Sequence, residues 1–349
     1  MQSIITTNDT SSVLCNLISE ADYDKIFILT DKTTRQCCLP LISKSDSLKD
    51  AHCIAISAKD ENKNLESLAK VWAELCNSGA TRHSLLINLG GGMITDLGGF
   101  AASTFKRGIK FINIPTTLLA MVDASVGGKT GINFNGLKNE IGVFNSACAV
   151  ILDPSFLQTL DYPNILSGYA EMLKHGLISN TQHWRELINF NLAEPNLAAL
   201  GNLIRTSVKI KEEVVNNDPY EKGIRKALNL GHTIGHALES HALNSGKPIL
   251  HGYAVAWGTL CELYLSCTKC QFPTDKMRQT ATFINEHYGP CNITCKDYEQ
   301  LYEYMTHDKK NVAGSINFTL LSDIGDIHIN QVATKEDIFE SLDFLRDGQ

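Results

Sequence analysis

The sequence predicts an α/β domain with a parallel sheet, followed by a mainly α-helical domain. Three observations carry that prediction: short apolar runs alternating with helical patterns in the first half, long helical stretches from about Pro163, and glycine-rich turns where strands end. The candidate strands are 25–29 (KIFIL), 53–56 (CIAI), 84–89 (SLLINL), 109–114 (IKFINI) and 149–153 (AVILD). Near-continuous apolar strands of this kind are buried on both faces. Between the second and third, at 64–77, Leu65, Leu68, Ala69, Trp72 and Leu75 recur at helical spacing. Strand–helix–strand repetition places helices on both faces of a parallel sheet.

Beyond Pro163 the expected helices are 164–178, 181–190, 196–217, 226–243, 252–267 and 275–287, with one late strand at 316–321 and a final helix at 335–346. This gives an N-terminal domain of residues 1–162 and a C-terminal domain of 163–349, with an active site expected in the cleft between them.

Bulk properties bound the function. A chain of 349 residues, 43% hydrophobic and 20% charged, is long enough for two soluble domains. A net charge of −7 argues against a general nucleic-acid binder, which carries a basic stripe, yet a few cations converging in one cleft can still hold an anion. The eleven cysteines, mostly scattered singly, read as buried thiols of a reducing cytosol rather than as a zinc module or a redox dithiol. The N-terminus has no basic residue before Lys25 and no signal-peptide pattern. The apolar run 254–267 is too short to span a bilayer and contains Glu262, so it reads as a buried helix. A cytoplasmic protein is expected.

Two regions carry chemistry. In SLLINLGGGMITDLGGFAAST a strand enters Gly90-Gly91-Gly92 and then a helix. Missing Cβ atoms let backbone amides approach a ligand, and the helix N-terminus favours a phosphate. The pattern is not the GxGxxG fingerprint, and a tight turn with Gly98-Gly99 easing helix packing is the structural alternative. Context favours a ligand: Thr116, Thr117, Asp123 and Lys129 follow the next strand, where parallel sheets present their binding groups.

The helical half contains GYAEMLKHGLI with Glu171, Lys174 and His175, RKALNLGHTIGHALESH with Arg225, Asn229, His232, His236 and His241, and ILHGYAVAWG with His251. Spacings of four, three and four place Arg225, Asn229, His232 and His236 on a single helix face. A carboxylate with imidazoles suits a divalent metal such as zinc with an open coordination position. His175 and His241 read as hydrogen-bonded structural residues, and Lys174 as a salt-bridge partner of Glu171. Spacing does not choose which two of His232, His236 and His251 bind metal.

The glycine-rich segment through GKTGINFNGLKNEIGVF, then GYAEMLKHGLI, RKALNLGHTIGHA and LHG, in that order, resemble the 3-dehydroquinate synthase family over about residues 55–320. The resemblance implies a Rossmann-like NAD domain, a helical metal domain and a homodimer. It implies Glu171, His232 and His251 as ligands of zinc (cobalt is also possible), with His236 facing substrate and transferring protons. Asp60 and Lys63 match positions near the adenosine ribose, and Gly91, Gly92 and Asp96 match the pyrophosphate turn, with Thr116 and Thr117 nearby. Asp123, Lys129 and Lys138 border cofactor and substrate, while Asn139, Lys174, Lys211, Arg225 and Asn229 match substrate-site positions. Arg107 matches an arginine that reaches phosphate across the dimer interface, and Lys309 or Lys310 matches a late phosphate contact. Tyr253 stands where the family usually carries Glu.

The implied reaction converts 3-deoxy-D-arabino-heptulosonate 7-phosphate to 3-dehydroquinate and phosphate, through transient oxidation by NAD, elimination, reduction and aldol closure. A sister sugar phosphate cyclase, such as 2-deoxy-scyllo-inosose synthase acting on glucose 6-phosphate, is the alternative. Lys129, the Lys138–Asn139 pair and Arg225-x-x-x-Asn229 favour the former. A non-catalytic scaffold of the same fold would be marked by a lost ligand, and no ligand position is lost.

Overall fold

The computed structural model describes residues 2–43, 45–135, 137–306 and 316–347. The chain divides into two compact units, the first running to Asp161 and including Asn196–Val208, the second comprising Tyr162–Pro195 and the residues from Lys209 onward.

The first unit contains β1 (Ser3–Thr6), α1 (Thr10–Ser19), β2 (Ile26–Asp31), α2 (Lys32–Cys37), α3 (Leu39–Ile42), β3 (His52–Ile56), α4 (Leu65–Asn77), β4 (Leu85–Gly90), α5 (Gly92–Thr104), β5 (Lys110–Pro115), β6 (Lys129–Phe134), β7 (Leu137–Phe144) and β8 (Ala149–Leu152). Among the described residues, six strands form one parallel sheet in the order β1-β8-β5-β4-β2-β3. All five expected strands are in it. β4 and β8 are buried along their whole length, which is why their sequences read as unbroken apolar runs. Asn88 of β4 and Asn113 of the adjacent β5 lie in register, and Asn88 Nδ2 donates to Asn113 Oδ1 at 2.8 Å. Helix α4 buries Leu68, Val71 and Leu75, and Asn64 caps it by accepting from the Ser67 amide at 3.0 Å.

Three strands outside the expected set appear here. β1 joins the sheet edge beside β8. β6 and β7 form an antiparallel ribbon where no strand was expected, with Gly131 facing Gly142 so closely that a Cβ on Gly142 would lie 2.1 Å from the Thr130 carbonyl oxygen.

The second unit holds α6 (Tyr162–Ser179), α7 (Thr181–Ile188), the residues of α8 (Leu197–Asn217) from Lys209, α9 (His232–Asn244), α10 (His251–Cys270), α11 (Thr274–Tyr288), α12 (Tyr298–Thr306), β9 (Asn317–Asp323), β10 (Asp326–Val332) and α13 (Lys335–Asp347). The late strand is therefore one arm of a hairpin, turning at Gly325 with φ +85°. Helix α12 was not expected from its polar sequence.

A larger correction concerns 226–243. It is not one helix: Ile224–Asn229 is a separate tight helical turn, and Gly231 at φ +80° breaks the chain before α9. Arg225 and Asn229 therefore do not share a helix face with His232 and His236. The 4-3-4 spacing was genuine, but a left-handed glycine resets the periodicity.

Glycines also set how closely helices approach in this unit. A Cβ on Gly258 of α10 would lie 2.1 Å from the Gly231 carbonyl oxygen, and one on Gly252 would lie 1.9 Å from that of Ser167 in α6. Backbone contact at these points draws α6, α9 and α10 together, with α10 buried along most of its length. No described helix is long and apolar enough to cross a membrane.

Candidate active site

The three helices so joined each deliver one ligand-type side chain. Glu171 comes from the middle of α6, while His232 and His251 are the first residues of α9 and α10. Their ligand atoms all lie within 4.8 Å of one another. His232 Nε2 is 3.3 Å and His251 Nε2 3.4 Å from Glu171 Oε1. Atoms bound at about 2.0–2.1 Å to one tetrahedral ion stand roughly 3.3–3.4 Å apart, so this spacing fits zinc-type coordination with a fourth position open.

Electrostatics agree with the spacing. Glu171 is 0% exposed, and neither carboxylate oxygen receives a well-formed hydrogen bond. Burial pushes its carboxyl upward, but the neighbouring Lys174 ammonium and the two imidazoles outweigh that and hold it well below the usual range. Burial likewise opposes charge on His251, yet Glu171 and Glu239 raise it to about 10. The pocket demands positive charge beside Glu171, and a divalent ion meets the demand while leaving both imidazoles neutral.

The imidazoles are aimed. His232 Nδ1 faces the Leu230 carbonyl oxygen at 3.1 Å; a carbonyl only accepts, so Nδ1 carries the hydrogen and Nε2 keeps its lone pair toward Glu171. Glu239 does the same for His251, its Oε2 3.4 Å from Nδ1. His236 stands beside them, its ring centroid 5.4 Å from that of His232 and 5.9 Å from that of His251. Lys174 donates to the Leu228 carbonyl at 2.9 Å and is buried, as are Lys211 and Arg225. The turn carrying Arg225 and Asn229 is tied down by Asp218, which accepts from the Gly223 and Arg225 amides at 2.6 and 3.1 Å, and by Glu221, which accepts from Asn229 Nδ2 at 2.9 Å. His175 is fully buried in α6, and His241 lies 3.7 Å from Asp297.

In the first unit a second set converges. Lys63 Nζ reaches Asp96 Oδ2 at 3.0 Å, Asn139 Oδ1 at 2.5 Å and Asp60 Oδ1 at 3.6 Å, and Lys138 Nζ lies 3.5 Å from Asp60 Oδ2. Burial lifts Asp96 to about 6 despite the adjacent Lys63. The triple-glycine turn needs its glycines: a Cβ on Gly90 would lie 2.6 Å from the Ile94 side chain, and one on Gly91 3.1 Å from Thr117. Gly91 caps α5 with no side-chain partner, which leaves the first amides of the helix to a ligand. Thr116 donates its amide to the Gly90 carbonyl at 3.0 Å, and Asp123 sits in a widened helical turn at 120–124. Lys129 opens β6. Arg107 is exposed with φ +68°. Lys309 and Lys310 lie outside the described residues.

Sequence reasoning missed Glu239, although it lies two helical turns from His232 and so on the same face. It also passed over Cys267 and Cys270, which stand at CxxC spacing at the end of α10. Burial pushes both thiols up, Cys267 to about 11, the opposite of an activated redox dithiol. Tyr253 packs edge-on against Tyr288 and Trp257.

Residues 53–167 match the family described as 3-dehydroquinate synthase N-terminal, and 168–311 match 3-dehydroquinate synthase C-terminal. A 3-dehydroquinate synthase of Parabacteroides distasonis is 54% identical over 347 residues, covering 99% of this chain and 98% of the relative. One of Clostridium acetobutylicum is 36% identical over 319 residues, covering 90% and 88%. Among solved structures, a 2-epi-5-epi-valiolone synthase of Streptomyces hygroscopicus with NAD+ and Zn2+ bound superposes with a TM-score of 0.88 at 24% identity, covering 99% of this chain and 96% of that one. A 2-deoxy-scyllo-inosose synthase with carbaglucose-6-phosphate, NAD+ and Co2+ gives 0.85 at 22% identity, covering 97% and 95%. At these identities the two structures establish the shared fold.

Proposed function

The chain belongs to the 3-dehydroquinate synthase family and is a lyase of that activity, and we propose that Glu171, His232 and His251 hold its divalent metal. The observation that carries this assignment is the separation of 3.3–3.4 Å between Glu171 Oε1 and the two Nε2 atoms, in a pocket whose buried carboxylate lacks well-formed hydrogen bonds. We assign zinc, or cobalt in its place, and NAD as the groups bound. Residues 1–162 then form the NAD domain and 163–349 the metal and substrate domain.

In this reading the substrate is 3-deoxy-D-arabino-heptulosonate 7-phosphate. When bound, NAD takes up and returns a hydride and the metal polarises substrate hydroxyls. The protein's part is orientation and charge. Asp60, Lys63, Gly91, Gly92, Asp96, Thr116 and Thr117 hold the dinucleotide, with Asp123 and Lys138 between it and the substrate. Lys129, Asn139, Lys174, Lys211, Arg225 and Asn229 orient the substrate's carboxylate and phosphate, Arg225 through its planar fork. His236 carries the proton on a ring nitrogen, since an imidazole exchanges it near neutral pH.

The protein works as a homodimer in the cytoplasm. Support for a second copy comes from β7, whose Leu137, Ile141, Val143 and Phe144 are 56%, 38%, 38% and 55% exposed, a row of apolar side chains on a strand that suits burial against another chain. Arg107 then serves the partner's phosphate site. The cysteines all stand as free thiols, the state a reducing compartment maintains.

The test is release of inorganic phosphate from the heptulosonate phosphate by purified protein with NAD. Turnover abolished by a chelator and restored by zinc is expected. Turnover of glucose 6-phosphate in its place contradicts the substrate, and chelator-resistant turnover contradicts the metal.

A further inference from the structure

Glu262 interrupts the apolar run of α10, and it is 0% exposed. A buried carboxylate is costly unless its lone pairs are met, and here both oxygens are used. Oε2 accepts from the Gly231 amide at 2.6 Å, while Oε1 accepts from Thr233 at 3.0 Å and from Ile234 at 3.4 Å. These are the unsatisfied amides of the α9 N-terminus, whose own N-cap residue, Gly231, offers no side chain. The cap is thus delivered by a different helix, with a charge that suits the positive end of α9.

The residue between the two clamped positions is His232. Its backbone has Glu262-bound amides on either side, and its Nδ1 faces Leu230 O just before the same turn. The Gly231 conformation that permits this, φ +80°, leaves no room for a side chain, since a Cβ would lie 2.3 Å from Thr259 Oγ1. His232 and His251 begin two different helices, and Glu262 is the side chain of the second that grips the start of the first.

We propose that Glu262 is a positioning residue of the metal centre, forking to the amides on both sides of His232 so that Nε2 is held at ligating distance from Glu171. The inference rests on the reading that Glu171, His232 and His251 hold the metal. A carboxylate is required because the fork needs an acceptor at both ends. Glutamine keeps one acceptor and turns its NH2 group against a backbone N–H, so it breaks the fork at nearly constant volume.

Cobalt(II) alone, titrated into chelator-treated protein and read by its visible absorption, tests this. Parent protein is expected to bind with an intense band of tetrahedral type. Glu262→Gln should bind about 10–100-fold more weakly, with an altered band, as loss of a supporting partner does elsewhere. Glu262→Asp, with a shorter arm, should fall between the two. Leu265→Ala, equally buried on the same helix but outside the site, should lose thermal stability and keep the parent's cobalt affinity within about twofold of the value set by an intact ligand shell. Parent-like affinity in Glu262→Gln, or an equal loss in Leu265→Ala, overturns the role of Glu262 alone. Should Glu262→Gln fail to fold, Glu262→Asp decides: several-fold weaker binding supports the role, and parent-like binding overturns it. A parent protein that binds no cobalt overturns the metal reading and this inference with it.

Discussion

The polar cluster around Glu171 and the one around Lys63 are built on opposite plans. Glu171, His232 and His251 are presented by three helices locked at glycine contacts, with both imidazoles facing Glu171 Oε1 and the Lys174 ammonium on Oε2. Lys63 instead gathers Asp60, Asp96 and Asn139 from a short 3-10 turn, a helix and an exposed ribbon strand, so its charge is already shared among three acceptors. The first cluster is preorganised for one small ion. The second holds itself together without a ligand, and a ligand must exchange partners with it to bind. Preorganisation makes a substitution in the first cluster a loss of binding, whereas in the second it is a rebalancing of charge.

Substitutions that separate the two plans are ordered by size. Glu171→Gln, which removes the carboxylate that both imidazoles face, is expected to lower activity by more than the roughly 10–100-fold typical of a supporting partner, and to abolish stoichiometric metal; phosphate-release kinetics and metal analysis check both. Glu239→Gln removes only the partner of His251 Nδ1 and is expected to weaken metal affinity about 10–100-fold, read by competition with a chromophoric chelator.

In the second cluster the effects turn on pH. The Asp96 carboxyl is raised from 3.8 to about 6 in the folded protein. A raised pKa means that its contribution to stability is intact below 3.8 and is lost as pH rises through about 6. Asp96→Asn should therefore gain on the parent across that window, by about 2 kcal/mol, less than the full shift allows because the side chain remains 18% exposed. Denaturant melts of both proteins at pH 4 and pH 7, taken without NAD, check the sign. Lys138→Ala, which breaks a half-exposed contact with Asp60, should change stability by less than about 0.5 kcal/mol while raising the KM for NAD or substrate.

The same contrast governs what could be read in advance. Buried parallel strands announce themselves because both faces are apolar, and β2, β3, β4, β5 and β8 all fall within a residue or two of the expected spans. Motif order brought Glu171, His232 and His251 forward together, where periodicity alone left His236 equally eligible. Periodicity failed at Gly231, since a glycine takes left-handed φ about as readily as right-handed and its spacing does not say which. It failed again at β6–β7, where glycines facing each other across a ribbon look like a turn. Glu262 was visible as a lone charge in an apolar run, but what it grips is the start of another helix, and no spacing within one helix contains that.

The most direct measurement is a titration of zinc into chelator-treated parent protein and Glu171→Gln, with phosphate release followed at each addition. Activity in the parent should rise linearly and break at about one ion per chain, with no break and negligible turnover in the variant. A parent active before any zinc is added, or a variant that breaks at the same point, would contradict the metal centre described for α6, α9 and α10.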